Sequence, residues 1–122
     1  METEALNFVW RAREKGATRN EFADYMVYQD RNNAMQSFGP PFTYLHQAGE
    51  VVRLDLKRGG RYVYVAPKFV NGRDVRPAKY TIEELRADIR EARADAAHGR
   101  ITAAEALDLI AEYVDMHDPN VR

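Results

Sequence analysis

Three cations crowd one turn of this 122-residue chain: Lys57, Arg58 and Arg61, in the run KRGGR. On either side, VVRLDL and RYVYVAP alternate β-branched, aromatic and polar residues as the strands of a hairpin do, until Pro67 ends the pattern. A basic hairpin tip can meet phosphate oxygens, and each phosphate neutralised steepens the salt dependence of binding. The tip is not a phosphate-cradling loop of the nucleotide-hydrolase kind, because KRGG leads into a strand and not a helix.

Other chemistry lacks its parts. With no cysteine there is no disulfide framework, no thiolate nucleophile and no Cys-type zinc site. His46, His98 and His117 form no metal-spaced pair, and the grouping of Asp115, His117 and Asp118 reads as a frayed terminus. Glu83, Glu84 and Glu105 are accounted for by helix starts and the positive end of the helix dipole. Nucleophile elbows and Walker patterns are absent. The expectation is no enzyme, no metal and no cofactor. For Tyr62 and Tyr64, which alternate with Val63 and Val65, packing in the hairpin is expected before stacking on a ligand.

The elements that must position the tip follow from periodicity and caps. Leu6, Val9, Trp10 and Arg13 share one side of a helix over Thr3 to Lys15, with Gly16 as its terminator. TRNE, Thr18 to Glu21, has the form of a capping box and opens a second helix carrying Phe22, Tyr25 and Met26. VYQDRNNAM reads as an irregular connection. A third helix is expected from Phe38 to Ala48, capped by Ser37 and ended by Gly49, since proline is tolerated in a first turn. In the first strand, Val52, Leu54 and Leu56 alternate with Val51, Arg53 and Asp55, and Asn71-Gly72 marks a turn in the segment after Pro67.

From Thr81 the pattern turns helical. TIEE and TAAE repeat the capping-box form at Thr81 and Thr102, and His98-Gly99-Arg100 reads as the turn of a helical hairpin. Ile82, Leu85, Ile89, Ala92 and Ala96 make one apolar stripe; Leu107, Ile110 and Val114 make another. Each stripe must bury itself against the other helix, the first module or a second copy. Residues 1–79 hold 13 Lys and Arg against 9 Asp and Glu, whereas residues 80–122 hold 5 against 10. A basic front and an acidic back suit two modules: 1–79 with its short linker, and 80–122 as an oligomerisation or partner-binding element.

The order of helix, capped helix, helix and basic hairpin is that of a winged helix-turn-helix, an α+β fold. The run YLHQAGEVVRLDLKRGGRYVYVAPKFVNGRDV, Tyr44 to Val75, resembles the small winged-helix proteins encoded by bacteriophages of mycobacteria and related actinobacteria. Their pattern is carried here by Leu45-His46, Gly49, Arg53-Leu54, Lys57-Arg58, Gly60, Val63-Tyr64-Val65, Pro67 and Asn71-Gly72-Arg73, and Gly16 to Met26 looks like the family's first helix of the turn motif. About half of the chain is covered, and the acidic tail is not. The resemblance implies a recognition helix from Gln36 to Tyr44 that presents Gln36, Ser37, Gly39, Pro40 and Thr43 to the major groove, with Gln47 near the backbone. It also implies a wing whose Lys57, Arg58 and Arg61 approach phosphates. Two prolines and a glycine stand where Arg or Asn is usual in base readers.

The expected function is therefore a DNA-binding transcriptional regulator of phage type, acting on double-stranded DNA as a homodimer through the C-terminal hairpin. The alternative is a phage-encoded module that binds a host protein without reading bases. METEALNF has no cleavage site, and no run approaches the roughly 18 apolar residues of a membrane span. The expected location is the cytoplasm, away from membranes.

Overall fold

The computed structural model describes residues 2–29, 39–77 and 79–117. Its architecture is α+β, with five helices and one two-stranded antiparallel hairpin among the described residues. The chain divides into two compact units, Met1–Ala78 and Lys79–Arg122.

In the first unit, α1 spans Glu2–Ala12 and passes into a tight 3-10 turn at Arg13–Lys15. Gly16 ends it with φ +68° and ψ −178°, a backbone region that only glycine enters readily. Space gives a second reason for glycine: a Cβ would lie 2.5 Å from Val63 Cγ1 and 2.7 Å from the Tyr64 carbonyl oxygen. That close approach lets Ala17 pair with the hairpin. Its N–H donates to the Tyr64 carbonyl at 2.9 Å, and the Tyr64 N–H returns the bond at 2.8 Å.

The capping box then forms as its spacing predicts. The Glu21 N–H donates to Thr18 Oγ1 at 3.2 Å, and the Thr18 N–H donates to Glu21 Oε1 at 3.1 Å. The box opens α2, Arg19–Gln29, which takes in Val27–Gln29 from the stretch expected to be irregular. The third helix, α3, spans Gly39–Gln47. Its end is a Schellman turn: the Gly49 N–H reaches His46 O at 3.0 Å, and the Glu50 N–H reaches Leu45 O at 2.9 Å. The expected cap Ser37 lies outside the described residues.

Aromatic rings tie the three helices to the hairpin. Phe8 meets Phe22 at 5.6 Å between centroids, Phe22 meets Phe42 at 5.5 Å, and Phe42 meets Tyr64 at 5.3 Å. His46 completes the series edge-on to Tyr64 at 5.8 Å, so it is a buried packing residue. Phe22, Phe42 and Tyr64 are almost entirely removed from water. Aromatic pairs at these distances contribute about 0.5–1.5 kcal/mol each beyond their area burial.

The hairpin pairs β1, Val52–Arg58, with β2, Arg61–Val65. The alternation expected for β1 breaks halfway. Arg53 pairs with Tyr64 and Lys57 with Tyr62, so three residues of β1 lie opposite Val63 alone. This bulge turns Leu56 outward, 46% exposed, although its spacing had placed it with Val52 and Leu54. Arg53 is fully buried instead, its guanidinium 4.7 Å from the Tyr62 ring and donating to the Pro77 carbonyl at 3.0 Å. Backbone bonds from Asp55 N–H to Asp74 O and from Arg76 N–H to Arg53 O cover the other edge of the bulged strand. With both faces covered, all four of Tyr62, Val63, Tyr64 and Val65 are buried, not one pair of them. Val63 and Val65 join Leu54, Ala66 and Phe69 in one apolar cluster.

The second unit is a helical hairpin of α4, Ile82–Ala97, and α5, Ala103–His117. Both expected capping boxes form, Thr81 with Glu84 and Thr102 with Glu105. Gly99, at φ +74°, closes a second Schellman turn in which the Arg100 N–H reaches Asp95 O at 2.8 Å. Of the expected α4 stripe, Leu85 and Ala92 are buried, Ile89 and Ala96 are half-buried, and Ile82 in the first turn is 41% exposed. On α5 the buried stripe is Ala106, Leu109, Tyr113 and Met116, whereas Leu107 is 68% and Val114 41% exposed. The burial follows the larger ring of Tyr113, and the expected Leu107–Ile110–Val114 stripe becomes a second apolar face. A buried hydrogen bond from the Tyr80 hydroxyl to Asp88 Oδ2 secures the segment before α4.

Candidate functional site

Two basic regions stand out in the first unit, and the hairpin tip is the one legible in the sequence. Gly59 and Gly60 both take positive φ, +63° and +82°, as a two-residue hairpin turn of right-handed twist requires. The turn brings Arg58 and Arg61 into register with each other.

Arg58 does not project freely from this turn. Its Nε donates to Glu21 Oε2 at 2.8 Å and its Nη2 to Glu21 Oε1 at 2.6 Å. Nη2 also donates to the Gly16 carbonyl and Nη1 to the Lys15 carbonyl, both at 3.0 Å. Four of the five N–H groups of a guanidinium are thus engaged within the protein. The hydrogen bonds from Arg58 hold the Glu21 carboxyl below its ordinary pKa, and Glu21 in turn holds Arg58 above its own. Glu21 therefore caps α2 and clamps the hairpin tip at once.

Lys57 extends over the Tyr62 ring, with Nζ 5.0 Å from the centroid, and Arg61 is half-buried. Of the expected recognition residues, Gly39, Pro40 and Thr43 lie in α3 and Gln47 is exposed at its end. Gln36 and Ser37 lie outside the described residues.

The second basic region had no single motif to announce it. Trp10 and Arg11 on α1, Arg13 in the 3-10 turn, and Lys68 and Phe69 in the turn Pro67–Phe69 line an open cleft of about 430 Å³. Trp10 meets Phe69 edge-on at 5.8 Å. Arg13 and Lys68 each place their charge 5.7 Å from the Phe69 centroid. Two signals in the sequence could have found it: the adjacent pairs Trp10-Arg11 and Lys68-Phe69, each a ring beside a cation. Their convergence depends on the hairpin returning the chain to α1, and no local spacing encodes that. Lys15, exposed two residues beyond Arg13, supplies one of the two carbonyls that Arg58 holds.

Among the described residues no group of three His, Asp or Glu side chains is placed to hold a metal ion, and no helix is long and apolar enough to cross a membrane. No protein-family model, curated protein or solved structure matches this chain.

Proposed function

We propose that the first unit is a winged helix-turn-helix module that binds double-stranded DNA, and that the protein is a transcriptional regulator. The observation that carries this reading is the double hydrogen bond between Ala17 and Tyr64. It attaches the residue between the first and second helices to the hairpin by a single β-bridge, giving the order helix, bridge residue, helix, helix, hairpin. In this reading Lys57 and Arg61 meet phosphates at the tip, while Arg58 braces the tip against Glu21. Helix α3 lies toward the major groove, and with Gly39, Pro40 and Pro41 in its first turn it contributes shape more than base contacts.

Dimerisation through the second unit fits this reading, because Leu107 and Val114 of α5 are exposed among the described residues. Two modules would raise the affinity for a two-part site. The direct test is retention of a random-sequence duplex at about 50 mM salt, falling steeply as salt rises. Replacing Lys57 and Arg61 together by Ala should remove most of that retention, and absence of binding to any duplex at that salt would overturn the reading.

A second reading, a module that engages a host protein, is favoured by the Arg58 clamp, which takes a cation out of the candidate DNA surface. Recovery of one host protein from lysate, unaffected by nuclease, would select it.

A further inference from the structure

The cleft between Trp10 and Phe69 combines three features that packing alone leaves unexplained. The first is the indole itself: Trp10 is 42% exposed, so much of the largest apolar side chain in the protein stays in water. The second is charge. Arg11, Arg13 and Lys68 line the cleft, and none of them makes an ion pair among the described residues, although Arg11 Nη1 donates to the Tyr25 hydroxyl at 3.4 Å. Like charges held around one ring repel each other, and an anion between them would relieve that repulsion. The third is backbone strain. Arg13 has φ +55°, a conformation disfavoured for a side chain of its size, and strain of this kind clusters where a ligand is held.

We propose that this cleft binds one unpaired nucleotide of single-stranded DNA, with its base stacked on Trp10 and its flanking phosphates met by Arg13, Lys68 and Arg11. Rings supply sequence-tolerant stacking and cations track the backbone, which is how proteins hold single strands. An acidic peptide would satisfy the charges but leave the indole in water. A closed duplex would offer phosphates while keeping its bases stacked on each other. The site is separate from the hairpin tip and does not depend on the duplex reading.

Trp10 is the sole tryptophan of the chain, so the protein's indole emission reports this cleft alone. Titrating the full chain with oligothymidylate of about 12 nucleotides, within the span one small domain covers, should quench that emission to saturation. Three phosphate contacts on a single strand predict a log–log salt slope of about −2, falling toward about −0.7 when Arg13 and Lys68 are both changed to Gln. Phe69→Leu, which removes the ring shared by both cations, should weaken binding by at least about fivefold. Lys57→Ala with Arg61→Ala should leave the quenching unchanged, which separates this site from the proposed duplex surface. No quenching by oligothymidylate at low salt would overturn the proposal. So would equal quenching by a blunt duplex, or by polyglutamate of matched charge, the latter marking an acidic-peptide site.

Discussion

The hairpin tip and the Trp10 cleft carry similar numbers of cations and hold them in opposite ways. At the tip, Arg58 is tied to one carboxylate and two backbone carbonyls, so its charge is matched before any ligand arrives. In the cleft, Arg13 and Lys68 lie beside the Phe69 ring, Arg11 donates one hydrogen bond to the Tyr25 hydroxyl, and none of the three makes an ion pair among the described residues. A count of basic residues therefore does not distinguish the two regions. What matters for a ligand is how many N–H groups remain after the fold has taken its share. By that measure Arg58 is a structural residue at a position where the sequence suggests a contact residue.

The largest expected effect comes from Gly16, which lies between the two regions. Gly16→Ala would force a side chain into a glycine-only conformation and against Val63 and Tyr64, at a cost of about 3 kcal/mol or more. It should lower the unfolding midpoint in urea and disturb both the Arg58 clamp and the cleft. A midpoint unchanged by Gly16→Ala would break the account of how Ala17 reaches the hairpin.

A smaller effect separates the regions by pH. Glu21 has a lowered pKa in the folded protein, so its contribution to stability is present above the ordinary value of 4.5 and is lost as pH falls through the folded one. The carboxylate is about one-third exposed, which limits the contribution to about 1 kcal/mol. Stability followed by urea unfolding should therefore drop more steeply in acid for the natural chain than for Glu21→Gln. Parallel curves would remove Glu21 from the clamp. The cleft supplies the contrast. Lys68→Gln should change stability by less than about 0.5 kcal/mol, as exposed substitutions that break no hydrogen bond or ion pair do.

Much of this arrangement was legible in the residues. All three capping boxes form where Thr18, Thr81 and Thr102 stand three residues before a Glu, because that geometry is local. Gly49 and Gly99 end their helices for the same reason. Failures came where tertiary contacts overrode local pattern. Leu56 turns outward because a bulge shifts β1, and the bulge depends on residues 74–76 pairing from the other edge. On α5, two interleaved apolar stripes were available, and burial selected the one containing Tyr113. The clamp on Arg58 is not legible in the sequence because its partner Glu21 lies 37 residues away, beyond any spacing rule. The cleft has no local signature for a similar reason, since Trp10 and Phe69 meet only once the chain is folded.

The difference between the two regions rests on Arg58 being a brace and not a ligand contact, and one substitution tests it. Arg58→Ala should lower stability by about 1–2 kcal/mol, the worth of charged hydrogen bonds half-open to water, and Arg58→Lys should not restore it because an ammonium lacks the planar fork. Measured on the folded protein by fluorescence anisotropy with a labelled duplex, Arg58→Ala should change affinity by less than about threefold, while Lys57→Ala with Arg61→Ala lowers it far more. An Arg58→Ala protein that unfolds at the same urea concentration as the natural chain, yet loses duplex affinity by about tenfold or more, would contradict the account.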